Sequence, residues 1–72
     1  MEERLKKIMA GVFNIDINEI NKDISIHNVE AWDSLAQMKL VFAIEEEFGV
    51  VFDEDEIQEM VSFNAIIGML EK

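Results

Sequence analysis

Apolar residues recur at helical spacing in four stretches of this chain, with sequence rich in Asn, Asp and Ser between the first two. Leu5, Ile8, Met9, Val12 and Phe13 fall at i, i+3, i+4, i+7 and i+8, which predicts an amphipathic helix from about Glu2 to Phe13. From Asn14 to Asp33 the periodicity breaks. Isolated Ile15, Ile17, Ile20, Ile24, Ile26 and Val29 suggest a long loop pinned to the core at intervals, and loops of this length are usually functional. A second helix is expected from about Ser34 to Phe48, closed by Gly49 in the left-handed conformation. The connector Val50-Val51-Phe52 leads into Asp53-Glu54-Asp55-Glu56, where early acids favour a helix start and Ile57, Met60 and Val61 give a short third helix one apolar face. Ser62 or Asn64 can cap a last helix carrying Ala65, Ile66, Met69 and Leu70 to about Glu71. The expected fold is all-α: a small four-helix bundle with a long loop between the first two helices and a short third helix.

The second helix has two apolar arcs instead of one. At about 100° per residue, Leu40, Val41, Ile44 and Phe48 share one face, and Leu35, Met38 and Phe42 share another, flanked by Lys39, Glu45 and Glu46. Either the helix is buried on both sides, or the second arc is an exposed docking strip rimmed by carboxylates with an adaptable methionine at its centre. A chain of 72 residues struggles to cover both faces.

Composition narrows the classes of function. The length suits one domain across 1–72. Without cysteine there is neither a disulfide nor a thiolate metal site, and the single His27 cannot assemble an imidazole site alone. A charged opening that lacks the apolar stretch of a secretory signal, together with the missing cysteines, suggests a cytoplasmic protein. No uncharged apolar run approaches the ~20 residues of a membrane span. Net charge is −10, and between Glu45 and Glu59 eight carboxylates stand with no base. Such a surface repels nucleic acid and anionic lipid and attracts proteins with Arg and Lys patches. Asp53-Glu54-Asp55-Glu56 lacks the alternating ligands and central glycine of a calcium loop.

One serine stands out. Ser34 heads the second helix, and with Gln37 it matches a Ser-x-x-Gln capping box, although Asp33 could cap in its place. A hydrolase-type nucleophile would need a base, an acid and an oxyanion hole, and His27 offers only the first. A helix N-terminus does favour an anionic group such as a phosphodiester, because free N–H groups and the positive end of the dipole converge there.

Trp32-Asp33-Ser34-Leu35, then Ala43-Ile44-Glu45-Glu46-Glu47-Phe48-Gly49, then Asp53-Glu54-Asp55-Glu56, together resemble the acyl carrier proteins, and the resemblance spans essentially the whole chain. It implies 4'-phosphopantetheine, moved from coenzyme A onto Ser34 within Asp33-Ser34-Leu35 by a phosphopantetheinyl transferase. It further implies a non-catalytic carrier that holds acyl groups as thioesters and acts as a monomer. Its partners would be loading ligases or synthases and acyltransferases with basic surfaces. By the same resemblance, partner contacts fall on Asp33, Leu35, Met38, Phe42, Glu45 and Glu46, with Glu54 on the third helix.

Departures from the housekeeping fatty-acid pattern are local. Trp32 replaces a small residue, Ala36 an acid, Lys39 a glutamate and Asp53 a proline, while Phe52, Phe63 and Met69 make a bulkier interior. The Trp-Asp-Ser-Leu form resembles carriers of dedicated pathways, in lipid, surface-polysaccharide or secondary-metabolite synthesis. Trp32 is also a natural packing anchor for the loop. Two other classes fit the same residues: a carrier of aminoacyl or peptidyl groups, and an unmodified interaction module that uses only its acidic strip.

Overall fold

A computed structural model describes residues 1–71. In chain order these form α1 (Glu2–Phe13), α2 (Ser34–Phe48), α3 (Glu54–Glu59) and α4 (Phe63–Leu70), with a one-turn 3₁₀ helix at Ile17–Glu19. The four α-helices lie where the periodicity puts them, except that α3 stops at Glu59, so Met60 and Val61, expected on its apolar face, follow it, the first buried and the second exposed.

Each long helix contributes one stripe to a shared core. Leu5, Met9 and Phe13, four residues apart, are the buried face of α1, and they meet Leu40, Val41 and Ile44 of α2 and Phe63 and Ile66 of α4. The six-residue α3 buries none of its own side chains and is anchored by Met60, which follows it and is fully enclosed. So short a helix persists because its first turn is satisfied twice. Glu56 N–H donates to Asp53 Oδ1 at 2.8 Å, and Asp53 N–H donates to Glu56 Oε1 at 3.0 Å. The aspartate that departs from the resembled pattern is therefore the N-cap of α3. Ser62, not Asn64, caps α4, accepting from Ala65 N–H at 3.1 Å.

Two residues in the left-handed region end the longest helices: Asn14 after α1, at φ 56°, and Gly49 after α2, at φ 66°. Arg4 closes the same end of α2 from outside. Its guanidinium lies 4.5 Å from the centre of the Phe48 ring, and it donates at 2.8 Å both to the Glu47 carboxylate and to the Glu47 carbonyl. Both charged side chains are about half exposed, so their Coulombic gain is small. The larger contribution comes from the carbonyl, one of those a helix leaves unpaired at its C-terminus.

The loop is more ordered than its broken periodicity suggests. Asp16 and Glu19 form a capping box around the 3₁₀ turn, with Asn18 N–H on Asp16 Oδ1 at 2.8 Å and Asp16 N–H on Glu19 Oε2 at 3.2 Å. Farther on, Ser25 pairs antiparallel with Ser62, Ile26 N–H donates to the Val61 carbonyl at 2.9 Å, and Phe63 N–H donates to the Ile24 carbonyl at 3.1 Å. Ile20 and Ile24 are buried, and Ile15 and Val29 pack against the core. Ile26 corrects the expectation: its backbone is held at the α3–α4 junction while its side chain points outward.

Replacing Ile44, which is fully buried, by Ala is expected to lower the unfolding free energy by about 2–5 kcal/mol in urea titration. A loss well under about 1 kcal/mol would contradict its place in the core.

Candidate functional site

The head of α2 is organised by its two flanking residues, which leaves Ser34 uncommitted to the cap. Asp33, in extended backbone, caps the helix: its Oδ1 accepts from Ala36 N–H at 2.8 Å and its carbonyl accepts from Gln37 N–H at 2.8 Å. Ser34 is the first helical residue and is exposed. Gln37 does not belong to a capping box, a correction to the Ser-x-x-Gln pattern.

Gln37 instead joins three segments. Its Oε1 accepts from the Trp32 indole N–H, and its Nε2 donates to the carbonyls of Ile57 at 3.1 Å and Met60 at 3.0 Å. Those carbonyls lie at the C-terminal end of α3, where the Ile57 carbonyl also accepts from Met60 N–H at 3.1 Å and the Met60 carbonyl has Gln37 alone among the described residues. Trp32 is 5% exposed and packs on Phe13 with ring centres 5.0 Å apart and planes tilted by 38°. The tryptophan is the anchor that its size suggested. Removing the Gln37 carboxamide would orphan two partly buried polar groups, the Trp32 indole N–H and the Met60 carbonyl, at about 1–3 kcal/mol each where water cannot reach them, while the Ile57 carbonyl would keep the Met60 N–H.

A groove of ≈ 460 Å³ opens beside Ser34, walled by Ile26, Met38, Ile57 and Val61, with Trp32, Asp33, Gln37 and Gln58 completing its lining. A larger, more polar hollow of ≈ 710 Å³ lies within the loop among Ile15, Glu19, Asp23 and Asn28, and Ser34 does not line it. The smaller groove is the one that adjoins the serine.

On the other side of Ser34 runs the second arc of α2. Leu35, Met38 and Phe42 are 66%, 41% and 60% exposed, whereas Leu40, Val41 and Ile44 are buried, so α2 is not covered on both faces. Glu46 and Lys39 flank this strip in solvent, and Glu54 stands exposed at the first residue of α3. Glu45 is half-buried and turned to structural use, its Oε2 accepting from Phe52 N–H at 2.9 Å. His27 lies exposed in the loop, its amide on Ser25 Oγ. Among the described residues no three His, Cys, Asp or Glu side chains converge as a metal site, and no helix is long and apolar enough to cross a membrane.

Sequence reasoning missed the role of Gln37 and the outward turn of Ile26. The first carried a signal: Gln37 sits at i−3, i−4 and i−7 from Leu40, Val41 and Ile44, a polar residue at the head of a buried stripe.

Residues 3–70 match the family model described as the phosphopantetheine attachment site. The chain belongs to the acyl carrier proteins. This carrier is 31% identical over 70 residues to the acyl carrier protein of Solidesulfovibrio magneticus, covering 97% of this chain and 90% of that one. It is 34% identical over 61 residues to that of Nitratidesulfovibrio vulgaris, with 85% and 80% covered. Against the acyl carrier protein of Desulforapulum autotrophicum, identity is 30% over 73 residues, covering all of this chain and 95% of the other. The cofactor of the carrier is phosphopantetheine, and its family implies dealings with modifying and biosynthetic enzymes.

In this carrier Asp33→Ala is expected to cost about 1 kcal/mol of stability, while Ser34→Ala stays within about 0.5 kcal/mol of the parent in the same urea titration. Equal losses would return the cap to the serine.

Proposed function

We propose that Ser34 is the attachment point and that the chain, as one carrier unit across 1–72, presents acyl thioesters to partner enzymes without performing chemistry of its own. The observation that carries this reading is the uncommitted hydroxyl: Asp33 does the capping, so Ser34 stands exposed at the first position of a fifteen-residue helix. A phosphodiester formed at Ser34 Oγ would sit at the positive end of that helix, beside a groove with apolar walls. When bound, the cofactor supplies the terminal thiol that this cysteine-free chain lacks.

What the protein itself contributes is position and recognition. Leu35, Met38 and Phe42 offer an apolar strip that begins one residue from Ser34, with Asp33, Glu45, Glu46 and Glu54 as the acidic contacts. Its partners in this reading are a phosphopantetheinyl transferase, a loading ligase or synthase, and acyltransferases, each with a basic surface to meet the net charge of −10. Ala36 and Lys39 remove negative charge from this helix, which fits a carrier of a specialised pathway. The carrier is taken to act as a cytoplasmic monomer.

Intact mass after incubation with coenzyme A and a broad-specificity transferase tests the assignment. A gain of one phosphopantetheine on the parent and none on Ser34→Ala is the expected outcome, and a gain on the variant would move the site elsewhere. For the strip, Glu46→Lys is expected to slow loading at low salt while leaving helicity intact, because a rim charge mainly affects encounter. Glu45→Lys should show the same slowing and in addition lose about 1 kcal/mol of stability through its bond to Phe52. Loading rates unchanged in both variants would remove the strip from transferase recognition.

A further inference from the structure

Gln37 lines the groove and heads the face of α2 on which Leu40, Val41 and Ile44 follow. Its carboxamide spans from the Trp32 indole to the carbonyls of Ile57 and Met60, so it crosses the gap between α2 and the end of α3. Leu40, Met60, Phe63 and Ile66 belong to the one core cluster, all with no exposed surface.

We propose that the Trp32–Gln37 pair is a bolt across the floor of the groove and selects for short acyl cargo. On this view, which rests on Ser34 as the attachment point, the acyl group lies in the mouth of the groove against Ile26, Met38 and Val61. It does not insert between the helices. Insertion would break three hydrogen bonds, leaving the indole N–H and the Met60 carbonyl unpaired among apolar groups. It would also force methylenes among core side chains that have no exposed surface. A chain of two to four carbons buries too few methylenes to offset the two groups orphaned, and a longer one meets the added cost of overpacking the core, so the bolt stays shut. Small acyl groups, including those bearing a hydroxyl or amine that can meet Asp33 or Gln58 at the rim, suit the groove as it stands.

The test compares the parent carrying acetyl-, butyryl- and octanoyl-pantetheine, each loaded from the matching acyl-coenzyme A and verified by mass. Backbone amide shifts of Leu40, Met60 and Phe63 and the thermal midpoint are the readouts. In the parent, the octanoyl form is expected to match the acetyl form at all three amides and in midpoint, and the Trp32 indole proton to keep its hydrogen-bonded shift. In Gln37→Leu, which fills the same place without polar bonds, the octanoyl form should shift those amides and raise the midpoint above that of its acetyl form. Octanoyl-dependent shifts at Met60 and Phe63 in the parent would overturn the bolt, and the parent series decides this even if the variant fails to fold. If the transferase loads nothing, the attachment reading falls by itself. The bolt is then tested separately by placing methyl and octyl groups on Ser34→Cys through disulfide exchange, the only thiol in the chain. Equal core shifts for the two groups support the bolt, and octyl-specific core shifts overturn it.

Discussion

A single carboxamide holds together three segments that share no helix. Gln37 belongs to α2, Trp32 to the end of the long loop, and Ile57 and Met60 to the close of α3. Without this junction α3 would be a six-residue helix with no fully buried side chain of its own, attached to the bundle through half-buried Ile57 and through Phe52 and Met60 on either side of it. Isolated helices of that length do not persist in water. The junction also positions the indole on Phe13, which brings the end of α1 into the same arrangement. The head of α2, the loop before it and the helix beyond the groove thus meet at one side chain and its aromatic partner.

The loop reaches the same place by a second route. Ser25 and Ser62 form the antiparallel bridge, and the hydrogen bonds of Ile26 and Phe63 flank it. Backbone pairing there leaves the side chain of Ile26 free to form a wall of the groove, although its apolar character argues for burial. The chain therefore uses one isoleucine for a boundary, while Ile20 and Ile24 fill the core.

Much of this was legible in the order of residues because helices announce themselves by period. Leu5, Met9 and Phe13, and the two arcs of α2, follow from spacing alone, and the left-handed Gly49 follows from its lack of a Cβ. The 3₁₀ turn did not, since three residues are too few to show a period, although Asp16 and Glu19 stand at capping-box spacing. Gln37 was misread because a local pattern, Ser-x-x-Gln, competes with a long-range bond that spacing does not reveal. Asp33 takes the cap, and the glutamine amide is then free to satisfy carbonyls twenty and more residues away. Glu45 is a similar case: its charge suggests the surface, yet one of its oxygens serves the Phe52 amide.

Met38 belongs to two surfaces at once. It lies in the exposed strip with Leu35 and Phe42, and it also walls the groove beside Ser34. Whatever protein covers the strip must touch this flexible thioether, and whatever occupies the groove must touch it from the other side. Any preference of one occupant for a particular Met38 rotamer is then felt by the other, and thermodynamic linkage makes that influence mutual. One side chain therefore ties the strip to the groove, and what fills either one bears on what the other accepts.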